Sequence, residues 1–159
     1  MIQRVQTLYL LLALAAVLLC LTQPVGFYVT VHGVRTAFLT NLWFAYPPEL
    51  IVEGMVGRSA RPWSLFALLV IVGVLTLLNI FLFRRRALQM RICTFCMILL
   101  VAWYVLYAFF AYVLGHGLEA RFRPDWAAAL PFAALVFHYL AFRGIERDEA
   151  LVRSLDRLR

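Results

Sequence analysis

No lysine occurs in the 159 residues, so all 15 basic side chains are arginine, set against eight acids. Charge of either sign is scarce. Only 14% of residues are charged and 65% are hydrophobic, where an ordinary soluble domain has about 25% and roughly 45–50%. A chain this small cannot hide that much apolar surface in a core of its own, which makes a membrane its natural solvent. The three cysteines, Cys20, Cys93 and Cys96, are too few for a disulfide scaffold and lie in or beside apolar runs. The arginines flank those runs and do not form one polar stripe, which argues against nucleic acid and for the bilayer and its anionic headgroups as partners. Also absent are a P-loop, a Ser/His/Asp set, a metal-ligand cluster and a pair of acids within an apolar run.

What is present is a series of four apolar runs. The first, 5–22, follows Arg4 as a signal peptide would, but it ends Leu18-Leu19-Cys20-Leu21-Thr22 with no small-residue cleavage pattern. The bulky Leu19 equally spoils a lipoprotein reading of Cys20. The run is therefore expected to stay as a membrane helix near the lower length limit of about 17 residues. Runs 63–83 and 92–114 carry no charge, and 126–142 is shorter, with Trp126 at its head and Arg143 at its foot as interface anchors.

Between them, the loop 23–62 gathers prolines at 24, 47, 48 and 62 and the first charges after Arg4. Phe27 to Val31 is rich in β-branched and aromatic residues. His32-Gly33 can turn it back onto Val34 to Phe38, which predicts a small hairpin. Leu42 to Tyr46 is aromatic enough to lie on the membrane or cap the bundle. Segment 84–91 is a short arginine-rich loop holding Arg84, Arg85, Arg86 and Arg91, and 115–125 is a second short loop. In the tail, 143–159, Leu151, Leu155 and Leu158 recur at helical spacing among charges, forming a stripe that predicts a packing surface for a protein partner or a second copy.

With the amino terminus inside, ten of the 15 arginines face the cytoplasm, and the densest cluster, Arg84 to Arg91, sits in the short middle loop where the positive-inside rule has most force. The expected fold is an all-α membrane protein of four transmembrane helices with both ends inside. An extracytoplasmic loop subdomain and a cytoplasmic helical extension complete it. The expected location is a bacterial inner membrane.

Two features invite chemistry. Cys93-Thr94-Phe95-Cys96 is a C-x-x-C near a helix start, a pattern that can cycle through a disulfide. The predicted topology sets it at the cytoplasmic, reducing end, however, and Cys20 lies too near the opposite face to form a relay. His138 falls within a span, where an ionisable side chain calls for a functional hypothesis, yet a bis-histidine haem site needs a second ligand at its depth, and His32 and His116 lie elsewhere. A neutral imidazole hydrogen-bonded across the bundle is the plainer reading, with Asn79 at a similar depth as its expected partner. The aromatics of the third run, Trp103 to Tyr112, read as packing. No catalytic residue, metal or cofactor is expected, although Cys93, Cys96 and His138 stand as candidates for a quinone or haem alternative. A small transporter is a third reading, but no internal repeat or polar path supports it.

The ends of the chain are its most distinctive parts. Met1 to Leu12 (MIQRVQTLYLLL) and Arg147 to Arg159 (RDEALVRSLDRLR) resemble the ends of a family of small four-helix membrane proteins of unknown function from Bacteroidota. The resemblance implies this layout in an inner membrane and carries over no catalytic residue. With both distinctive ends expected in the cytoplasm and no site between them, the reading is an accessory or scaffold subunit of a membrane complex.

Overall fold

The structure, a computed structural model, describes residues 2–30, 35–42, 44–45, 62–82, 85–115 and 120–156. Four helices account for most of it: α1 (Ile2–Thr22), α2 (Trp63–Phe81), α3 (Arg86–Gly115) and α4 (Leu130–Asp156), the last preceded by a 3-10 turn at Trp126–Ala129. Each contributes a stretch long and apolar enough to cross a membrane. Only 33%, 33%, 28% and 33% of the four stretches is buried within the protein. Most positions in each stretch are therefore left uncovered by the chain itself, as expected of helices that face hydrocarbon.

The buried positions explain how the helices find one another. Gln6, Leu10, Ala13, Val17 and Cys20 on α1, and Ala134, His138, Ala141, Ile145 and Asp148 on α4, advance by alternating steps of three and four. On α3 the same rhythm runs through Cys93, Cys96, Leu100, Trp103 and Tyr107. One narrow stripe per helix faces inward, as the knobs-into-holes geometry of a left-handed bundle requires. The helices pack as a ring, each against its neighbours in sequence and α1 against α4, whose seam is the most extensive. Alanines 13, 16, 134 and 141 keep the buried stripes of α1 and α4 small, as close helix packing favours.

One end of the ring is closed by a four-stranded sheet in the order β3-β2-β1-β4. The predicted hairpin is there: β1 (Gly26–Thr30) pairs antiparallel with β2 (Arg35–Leu39), while its turn residues lie outside the described residues. β3 (Phe44–Ala45) comes from the aromatic segment, and Phe44 is buried in the core, while Trp43 and Tyr46 lie outside the described residues. The fourth strand, β4 (Ala120–Pro124), departs from expectation. Segment 115–125 reads as a plain loop in the sequence, but Ala120–Pro124 pairs along the whole length of β1. The strands of loops 23–62 and 115–125 thus meet at one end of the bundle, and the arginine-rich connection lies at the other.

A second difference concerns that connection. Residues 86–91 are not loop but the opening turns of α3, so the third helix begins six residues before its apolar run. Arginines end a membrane span because of their charge; they are also good helix formers and do not end the helix. Arg84 lies outside the described residues.

Candidate functional site

The side chains with chemical potential fall into two groups, one in the middle of the bundle and one at the arginine end. In the middle, α2 turns Val72, Gly73, Thr76 and Asn79 inward, and α3 and α4 bring Cys93, Cys96 and His138 to meet them. His138 is fully buried, with Nδ1 2.8 Å from the Ala134 carbonyl and Nε2 3.0 Å from Thr76 Oγ1. A carbonyl only accepts, so Nδ1 carries a proton. The Thr76 hydroxyl lies 2.7 Å from the Val72 carbonyl as well, and its single proton is shared between that oxygen and Nε2. A neutral imidazole closes this network without burying a charge, the cheap solution in a low-dielectric site. The pair also spans the ring's diagonal from α4 to α2.

Asn79, the expected partner, is engaged elsewhere. Its Nδ2 donates to Cys93 Sγ at 3.1 Å, and its backbone carbonyl accepts from Gln89 Nε2 at 3.3 Å. Asn79 and Thr76 sit one turn apart on the same face, and the rotation of α2 presents the threonine to the histidine. Thr76 also faces the Cys96 thiol. The three candidate residues are therefore neighbours around one threonine and one asparagine, an arrangement that sequence spacing alone does not reveal. Cys93 and Cys96 lie in α3 beyond its first turn, where the partial charge of a helix start has fallen away. Both are fully buried, and Cys20 sits at the sheet end, where Asn41 Nδ2 donates to its backbone carbonyl at 2.6 Å. Among the described residues no group of three or more His, Cys, Asp or Glu is placed to hold a metal ion.

At the sheet end the aromatics are structural. Trp103 and Tyr107 stack with ring centroids 5.0 Å apart, and the Tyr107, Tyr104 and Tyr28 hydroxyls donate to the carbonyls of Val25, Ala128 and Ala111. The Tyr28 bond ties β1 to α3, the Tyr107 bond ties α3 to the residue before β1, and the Tyr104 bond ties α3 to the 3-10 turn. Phe109 and Tyr112 point away from the bundle.

The arginine end is built differently. Gln6 on α1 and Asp148 on α4 are buried, and Gln6 Nε2 donates to Asp148 Oδ2 at 2.6 Å. Arg86 Nη1 donates to the Asp148 backbone carbonyl at 3.1 Å, which joins the start of α3 to the same point. Against this clasp runs a groove of about 540 Å³ between α1 and α4, lined by Tyr9, Leu140, Arg143, Arg147 and Leu151 together with the clasp residues Gln6 and Asp148. A shallower one of about 510 Å³ between α3 and α4 contains Arg91, Glu146 and Glu149. Arg85 is exposed, and so is Leu151, the first leucine of the tail stripe. The side chain of Leu155, and Leu158 altogether, lie outside the described residues. Gln6 and Asp148 were missed as functional positions, although their three-and-four spacing from Leu10 and Ile145 marks them as inward-facing.

A protein-family profile described as "Domain of unknown function (DUF4293)" matches residues 2–158. No curated protein matches the sequence.

Proposed function

The chain belongs to this family of unknown function, and we propose that it works as a non-enzymatic accessory or scaffold subunit of an inner-membrane assembly, with both ends in the cytoplasm. The observation that carries the reading is the contrast between the middle of the bundle and its arginine end. In the middle, His138, Thr76, Asn79 and Cys93 bond to one another or to nearby carbonyls. At the arginine end, α4 continues as a charged helix with Leu151 exposed beside two grooves. A leucine this exposed on a charged arm gains by docking against a partner. The arginine bias supports this orientation, because Arg85, Arg86, Arg91, Arg143 and Arg147 all belong to the segments at this end.

Native purification from the source membrane tests the proposal. The wild-type chain is expected to migrate in an assembly larger than its own 18.3 kDa. Leu151→Asp, which leaves the buried clasp intact, is expected to release it. A lone protomer, unchanged by that substitution, overturns the reading.

The meeting of Cys93, Cys96 and His138 supports a second reading, a redox protein that uses a quinone. Two thiols would give up two electrons and two protons to the quinone, leaving a Cys93–Cys96 disulfide and a quinol. Thiol labelling of the unfolded protein distinguishes the two, since the redox reading requires two labelled cysteines to be lost after quinone treatment and the scaffold reading requires none.

A further inference from the structure

The groove between α1 and α4 combines two chemistries in one depression. Tyr9 and Leu140 line it toward the middle of the bundle, and Arg143 and Arg147 line it toward the end. Four residues apart on a helix, the two guanidiniums stand one above the other on the same face, close enough to serve a single small anion. The nearby acid does not cancel them. Asp148 borders the same groove, but it is buried and turned into the clasp between helices, its Oδ2 accepting from Gln6 and its backbone carbonyl from Arg86. Glu146 comes within only 4.0 Å of Arg143, with both side chains about half exposed, an ion pair that solvent largely screens. Arg147 has no ion-pair partner among the described residues.

Depth along α4 says what kind of anion could reach them. From Trp126, the 3-10 turn and the helix carry the chain about 27 Å to Arg143 and about 33 Å to Arg147, at roughly 2.0 and 1.5 Å per residue. With the indole at one interface and a hydrocarbon core about 30 Å thick, the arginines stand where the opposite leaflet places its phosphates. Leu140 and Tyr9 then lie at the level of acyl chains. We infer that this groove is a binding site for an anionic phospholipid, its phosphodiester held by Arg143 and Arg147 and one acyl chain lying along Tyr9 and Leu140. The inference rests on the four helices spanning a membrane. It does not require a subunit role, although Leu151, given to a partner above, lines the same groove.

The test uses the full chain, purified in a neutral detergent, stripped of lipid, and titrated with phosphatidylglycerol. Native mass spectrometry and melting are the readouts. Phosphatidylglycerol is expected to bind one per chain and raise the melting temperature, whereas phosphatidylcholine with the same acyl chains is expected to do neither. The headgroup without chains, glycerophosphoglycerol, is expected not to compete. Arg143→Gln with Arg147→Gln is expected to weaken binding about thirtyfold, from about 1 kcal/mol per basic residue at an anionic surface. Arg121→Gln with Arg123→Gln, at the sheet end, is expected to leave it unchanged. The double variant should melt like wild type in detergent alone, because both side chains lie outside the core, and lysines at the two positions should restore most of the binding. Equal binding of the two lipids, or binding unaffected by the double substitution, overturns the site. Competition by the free headgroup instead assigns the groove to a soluble phosphate compound and overturns the lipid. A lipid-independent dimer abolished by the double variant assigns the groove to a second copy and does the same.

Discussion

The sheet end and the arginine end of this bundle solve opposite problems with the same four helices. At the sheet end, rings and strands cover the helix termini, and the hydroxyls of Tyr28, Tyr104 and Tyr107 are spent on backbone carbonyls within the chain. At the arginine end, one buried clasp, Gln6 to Asp148, holds α1 to α4, and grooves lie open on either side of α4. The difference teaches that closure and open surface have been assigned to separate ends. It also puts Trp103 and Leu151 at opposite extremes, one fully buried and the other 56% exposed.

The largest effect should come from breaking the closed end. Trp103 is the bulkiest of the fully buried side chains and stacks on Tyr107. Trp103→Ala should cost about 3–5 kcal/mol. Leu151→Ala, at the open end, should leave stability within about 0.5 kcal/mol of wild type. Melting of both variants in the same detergent checks the contrast, and similar losses would show that the two ends do not differ in the way argued.

Alkaline pH sharpens the same contrast with a smaller effect. Burial pushes the Tyr28 phenol up from an ordinary 10 to about 12, and its hydroxyl donates to the Ala111 carbonyl. A raised folded value means that the folded state holds the proton more tightly than the unfolded chain does. The stabilisation is therefore complete below pH about 10 and fades as pH rises toward about 12. Wild-type melting temperature should fall across that window. Tyr28→Phe, already lacking the bond, should show a shallower fall, and parallel curves would remove Tyr28 as the cause.

How much of this was legible in the sequence follows from the range of each interaction. The four spans could be read because each is an uninterrupted apolar run, and the hairpin because both its strands and its turn are local. β4 could not be, because Arg121, Phe122 and Arg123 look like a charged loop until they are set beside β1, some ninety residues earlier in the chain. The start of α3 was misplaced because Arg86 to Arg91 mark where hydrocarbon ends, a boundary that a helix is free to cross. For the candidate site, Cys93, Cys96 and His138 could be named singly. Thr76, the residue that brings Cys96 and His138 together, could not, since depth favoured Asn79 and only the rotation of α2 separates the two.

The smallest effect tests how tightly the clasp is built. Gly144 lies within α4, where glycine costs about 1 kcal/mol relative to alanine, so its presence points to a constraint. A Cβ there would sit 3.0 Å from Gln6 Cγ and 3.5 Å from Gln6 Nε2. Gln6 is unbranched and can shift by a few tenths of an ångström, but its Nε2 is already committed to Asp148 at 2.6 Å. In Gly144→Ala the gain in helix propensity and the crowding of the clasp should nearly cancel, leaving stability within about 1 kcal/mol of wild type. Gly144→Ala in a Gln6→Ala background has no such neighbour and should be stabilising by about 1 kcal/mol. A double-mutant cycle on the two positions measures the difference. Coupling near zero would mean that α1 and α4 are not held closely at this end, and that the groove beside the clasp owes nothing to it.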